Sequence, residues 1–175
     1  MAPGARAGKT AFDPPPRPAA MSPHRAARTI RLLALVYIAV GVVWWTLAIA
    51  PIDAPGRLLF RLFDWPFGPG GIEPSRGVRW SAAVGGGLCA ALGALFHAAV
   101  APAVEAGDRR AARGAAGALL LWFALDSSGS IAAGAPSQAL WNVPFLAAML
   151  VPLLGMRPGK VGASSPDDVP VRTGP

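Results

Sequence analysis

The stretch Leu32–Ile52, LLALVYIAVGVVWWTLAIAPI, contains twenty-one residues and no charge. At about 1.5 Å of rise per residue, a helix of about twenty apolar residues crosses a hydrocarbon core of about 30 Å. The run, with its flank from residue 30 to residue 52, therefore reads as a membrane span. Tyr37 lies near one end and Trp44 and Trp45 nearer the other, a loose aromatic belt. Ala48-Ile49-Ala50 also has the form of a signal-peptide cleavage site. Against that, the run exceeds the about 7–15 residues of a signal core, and Pro51 follows the cut. An uncleaved helix is expected.

The rest of the chain repeats the pattern. Residues 80–104 are uncharged until Glu105 and rich in small residues, with Gly86, Ala90 and Gly93 on one helical face. Such faces let membrane helices approach closely, so this helix is expected at the centre of its bundle. A third span covers 113–134 and carries Asp126, and a fourth covers 137–155 with Pro144 and Pro152 inside it. Gly134 and Pro136 between them suit a helix end and a helix start. Arg57, Arg61 and Asp64 share one face of a short segment, much of whose remainder is covered by Leu58, Leu59, Leu62, Phe63 and Trp65. This reads as an interfacial helix with Asp64 paired to Arg61, or as a loop tucking its aromatics under the bundle. The expected fold is all-α: four transmembrane helices in an up-down bundle, with a short amphipathic interfacial helix between helices 1 and 2.

Composition agrees. Of 175 residues, 53% are apolar and 14% charged, against about 25% charged in soluble domains. The basic residues decide orientation. Twelve lie before the first span, in the 105–113 link and after the fourth, while Arg57, Arg61, Arg76 and Arg79 lie on the other side. The positive-inside rule then puts both termini in the cytoplasm and accounts for most of the net charge of +7. No aromatic-interleaved basic surface is left for nucleic acid. Residues 1–28 and 157–175, rich in Pro, Arg and small residues, read as disordered tails, and Met21 is a second candidate start.

Asp126 is the most informative residue, because a carboxylate inside a span must face the bundle interior, find a partner or be protonated. The short turn makes the third and fourth helices neighbours. Counted from that turn, Asp126 and Asn142 differ in depth by only about 3 Å. Gln138 and Asn142 are spaced i,i+4 on one stripe. Pro144 frees the Leu140 carbonyl, for which a serine hydroxyl or a protonated Asp126 is the expected donor. One polar cluster of Asp126, Ser130, Gln138 and Asn142, with Ser127 at its edge, follows. It reads either as hydrogen bonds that fix helix register or as a ligand or proton site. His97 lies about 8 Å from the depth of Asp126, too far for a direct pair. Two histidines and one cysteine leave no zinc site, and no cofactor is expected.

The segment from about Asp64 to Gly155 resembles a group of small bacterial integral membrane proteins of unassigned activity. The carrying residues are Asp64-Trp65-Pro66, the small-residue second helix, Trp122 to Ser130 (WFALDSSGS), Gly134-Ala135-Pro136, and Asn142 to Phe145 (NVPF). The resemblance implies a four-helix membrane fold in a bacterial cytoplasmic membrane, draws attention to Asp126 and Asn142, and implies no substrate. The functional expectation is a non-enzymatic accessory or structural subunit in the lipid bilayer, self-associating or bound to a membrane-protein partner through its small-residue faces. The alternatives are a small transporter or proton-linked carrier centred on Asp126, and, behind these, a lipid-acting enzyme.

Overall fold

The structure is a computed structural model that describes residues 21–66 and 73–155. Five helices make up the described chain, with no strand among the described residues: α1 (Pro23–Thr46), α2 (Ala54–Asp64), α3 (Arg76–Glu105), α4 (Arg109–Ala132) and α5 (Pro136–Leu154). All except α2 are long and apolar enough to cross a membrane. Their outward surfaces carry large apolar side chains such as Leu35, Leu88, Leu121, Leu125 and Val151. So much exposed hydrocarbon on every long helix is what an apolar solvent permits and water does not.

The helix ends are built from local chemistry. Ser22 caps α1, its Oγ accepting from the Arg25 N–H, and Pro23 fills the first helical position. Asp108 caps α4 by accepting from the N–H groups of Arg110 and Ala111. Gly107 and Gly134 take positive φ angles of 81° and 77°, which lets α3 and α4 turn within three residues each. Pro102 lacks the N–H that would close onto Ala98. The turn ahead of it widens into a π turn, Phe96–Val100, in which the Ala101 N–H reaches the Phe96 carbonyl.

The closest packing is between α1 and α3. A Cβ placed on Gly41 would lie 2.6 Å from the Ala90 nitrogen and the Gly86 oxygen, and one on Gly86 would lie 2.6 Å from the Trp45 nitrogen. A Cβ on Gly93 would lie 2.7 Å from the Ala34 carbonyl. Backbone meets backbone along this seam, and only glycine permits it. Helices α4 and α5 form a second closely packed pair. The pairs join at one end of the molecule, where Ala26, Ala27, Ile30, Ala101, Val104, Ala112 and Leu153 are almost wholly buried.

Several boundaries differ from those expected. Helix α1 starts at Pro23, not at residue 29 or 30, so the last part of the segment read as disordered is helical; residues 1–20 and 156–175 lie outside the described residues. The reason is a stripe of Ala26, Ala27, Ile30 and Ala34, each fully buried, together with ion pairs from His24 (2.7 Å) and Arg31 to Glu105. Helix α1 also ends at Thr46 rather than at residue 52. Beyond it, the chain folds back under α2: the Arg79 guanidinium donates to the Leu47 carbonyl (2.9 Å), and the Gly56 N–H donates to Thr46 Oγ1 (3.1 Å). Helices α3 and α4 each begin four residues before the expected span.

Helix α2 does lie between the first two spans, but Asp64 does not pair with Arg61 among the described residues. The pairing centres instead on Asp53, 9% exposed, which accepts from Arg57 (2.8 Å) and Arg79 (3.1 Å), while Arg57 also reaches Glu73. Phe63 is buried, whereas Leu58 and Trp65 are exposed.

Two predictions test this frame. Gly86→Val and Gly93→Val should each lower stability in detergent by about 1–3 kcal/mol or more, because the clash is with backbone. Gly87→Ala and Gly117→Ala, where nothing lies within 4 Å, should leave the melting temperature nearly unchanged. The Arg57 guanidinium bonded to Asp53, assisted by Arg79, holds that carboxyl below its ordinary value of 3.8. A depressed carboxylate stabilises above its unfolded pKa and loses that effect as pH falls through its folded one. The melting-temperature gap between wild type and Asp53→Asn should therefore be full at neutral pH and shrink as pH is lowered below about 4.

Candidate functional site

The two helix pairs diverge away from their shared end. Helix α3 packs on α4 chiefly through Phe96–Glu105, and over the other half the two part. A cavity of about 470 Å³ occupies the space. Each wall is one helical stripe. Tyr37, Val40 and Trp44 come from α1, and Gly85, Cys89 and Leu92 from α3. Trp122, Asp126 and Ser130 come from α4, and Gln138, Asn142 and Phe145 from α5. These spacings of three, four and seven put the side chains above one another on a single face. Phe63 of α2 closes one end, edge-to-face against Trp44 (centroids 6.1 Å) and tilted against Trp141 (6.4 Å).

Asp126 and Asn142 sit at the same height because each is six residues from the turn, about 9 Å along its helix. Asn142 Nδ2 donates to Asp126 Oδ2 (2.7 Å) and to Ser127 Oγ (3.1 Å). Asn142 and Ser127 are buried, while Asp126 is exposed and lines the cavity. Among the described residues no cation lies within ion-pair distance of Asp126, and no Lys, Arg or His lines the cavity. The site therefore presents one carboxyl group held at one oxygen by a fixed amide, in a wall of aromatic and aliphatic side chains with Ser130 and Gln138 among them.

The expected cluster is brought together only in part. Ser130 and Gln138 line the cavity but make no side-chain hydrogen bond to Asp126 or Asn142 among the described residues. Ser127, placed at the edge of the cluster by sequence, is one of its bonded members. Among the described residues neither a serine nor Asp126 donates to the Leu140 carbonyl; Ser128 donates to the Leu125 carbonyl of its own helix (3.1 Å). Gly86, Ala90 and Gly93 face α1 rather than an open surface. Arg57 and Arg61 lie outside the cavity, and the Trp65 carbonyl accepts from Trp141 Nε1 (3.2 Å), which steadies one ring of the wall. His97 sits in the π turn with a buried Nδ1 that has no partner among the described residues, and it does not reach the cavity.

Sequence reasoning missed the aromatic lining. Tyr37 stacks edge-to-face on Phe145 (5.4 Å) and on Trp122 (6.4 Å), so three of the rings form a continuous wall. The signal was present: Tyr37 and Trp44 are seven apart, and Trp122 and Asp126 four apart. Cys89 also lines the cavity, its Sγ donating to the Tyr37 carbonyl (3.5 Å). No group of three or more His, Cys, Asp or Glu suited to a metal occurs among the described residues.

Asn142→Ala should destabilise the protein by about 1–3 kcal/mol, because it leaves the buried Ser127 hydroxyl and the Asp126 carboxyl without their shared donor. Ser130→Ala, which breaks no bond, should cost less. In a double-mutant cycle Asp126→Asn and Asn142→Ala should couple by about 1 kcal/mol, read from denaturation in detergent. Compared with known proteins, the chain matches no family model, no curated protein and no solved structure.

Proposed function

We propose that this chain is a multi-pass protein of a bacterial cytoplasmic membrane, an up-down bundle with both termini cytoplasmic, that takes a small molecule into the chamber around Asp126 as a binding protein or carrier. The membrane setting is supported by four helices of sufficient length and apolarity with hydrocarbon on their outward faces. The orientation is supported by twelve basic residues against four. The likeness to small bacterial membrane proteins belongs to the same proposal.

One observation carries the functional part: a chamber of about 470 Å³ that opens between α3 and α4 and holds the Asp126 carboxyl, beside which no cation lies among the described residues. Small-molecule sites span about 300–1,000 Å³ and combine apolar walls with a few placed polar groups. A purely structural hydrogen bond needs no such space. Of the small-residue faces that the accessory-subunit reading invokes, the one on α3 is packed against α1.

The test is a neutral aromatic fluorophore, 1-aminoanthracene, titrated into the protein in lipid nanodiscs. Saturable binding at one site per chain is expected, abolished by Cys89→Trp or Ser130→Trp, each of which fills the chamber from a different wall. Equal signals from wild type and both filled variants would remove the chamber from the account.

A further inference from the structure

The chamber has two chemical features that select for one ligand class. Among the described residues its walls hold six aromatic rings, Tyr37, Trp44, Phe63, Trp122, Trp141 and Phe145. Its one carboxyl group among them is that of Asp126. Ring faces carry negative quadrupole potential and attract cations, more strongly where water is excluded. A carboxylate in apolar surroundings is costly until a positive charge is placed beside it. Asn142 satisfies part of one oxygen by a neutral hydrogen bond and supplies no charge. An anion would meet Asp126 with repulsion, and a neutral molecule would leave it unpaired.

Inorganic cations fit poorly. A calcium ion takes about six to eight oxygen ligands and magnesium a near-ideal octahedron. This site offers one carboxyl group together with the polar side chains of Ser130, Gln138 and Asn142, among apolar and aromatic lining. The volume is also far beyond that of a bare ion. Building on the chamber reading above, we propose that the ligand is a hydrophobic organic cation, a quaternary ammonium or a protonated amine with apolar substituents, its charge beside Asp126 and its substituents among the rings. The gap between α3 and α4, flanked by Leu88 (66% exposed) and Asp126, provides lateral entry for a molecule already dissolved in the bilayer.

Two ions of nearly the same shape and opposite charge make the test. Tetraphenylphosphonium and tetraphenylborate are each titrated into nanodisc-embedded protein, and the signal from Cys89→Trp is subtracted as lipid background. The expected result is saturable phosphonium binding at one site, displacement of 1-aminoanthracene by phosphonium but not by borate, and at least a tenfold loss of phosphonium affinity in Asp126→Asn. Trp122→Leu, which keeps the carboxylate, should weaken phosphonium several-fold, so the conclusion does not hang on one variant. If 1-aminoanthracene binds but the two ions displace it equally, or if Asp126→Asn leaves phosphonium affinity unchanged, the cation assignment is overturned and the chamber stands. If none of the three probes binds above background, the chamber reading falls and takes this inference with it.

Discussion

Everything in this molecule is arranged around one contact, the backbone-to-backbone approach of α1 and α3 at Gly41, Gly86 and Gly93. Helices that meet through glycine have no room for side chains between their axes, so the large residues of α1 must project to either side of the seam. Tyr37 projects toward Trp122 of α4 and Phe145 of α5, and Trp44 lies between Gly85 of α3 and Phe63 of α2, so that both line the cavity. The second pair is held by different means. At the shared end, alanine, valine and leucine of all four long helices close into a dry core. At the other end nothing comparable joins α3 to α4. A tight seam on one side and a core at one end leave a wedge of space, and aromatic side chains line it without filling it.

That wedge gives Asp126 its interest. The Asn142 amide fixes the carboxyl against α5, and the i,i+4 position of Trp122 puts an indole on the same face. The same amide, through a second hydrogen bond, ties Ser127 to α5, so structural and chemical roles are joined in one side chain. A carboxyl whose position is set by packing is preorganised for whatever approaches it, and the ordering entropy is already met by folding.

The sequence and the structure agree best where physics is local. Twenty-one uncharged residues, a Gly-x-Pro turn and an i,i+4 polar pair leave few alternatives, and the Asp126–Asn142 partnership follows from counting residues outward from Gly134. Agreement fails where a residue type has two uses. Ala26 and Ala27 look like disordered, low-complexity sequence until α3 is set against them. The helix end at Thr46 depends on Arg79, thirty-odd residues away, taking the Leu47 carbonyl. The aromatic residues near the ends of spans read as an interfacial belt, and only the convergence of α1, α2, α4 and α5 turns them inward. Asp64 looked like the partner of Arg61, yet the acids that pair are Asp53 and Glu73, both with Arg57, and Glu73 lies across a connection whose path no periodicity describes.

The Asp53 cluster bears on how such a chain is made. In the proposed orientation the 47–79 segment must be carried across the bilayer during synthesis, with four arginines in it. Moving a bare guanidinium through the centre of a membrane costs about 2.5–3.5 kcal/mol on insertion scales. Arg57 and Arg79 converge on Asp53, and Arg57 on Glu73 as well, so two of the four have acidic partners within the segment itself. Asp53 and Arg57 are four residues apart and can meet in a nascent helix before any tertiary contact exists. The segment is thereby close to electrically self-contained during export, while the opposite side of the protein keeps its uncompensated positive charge and remains behind.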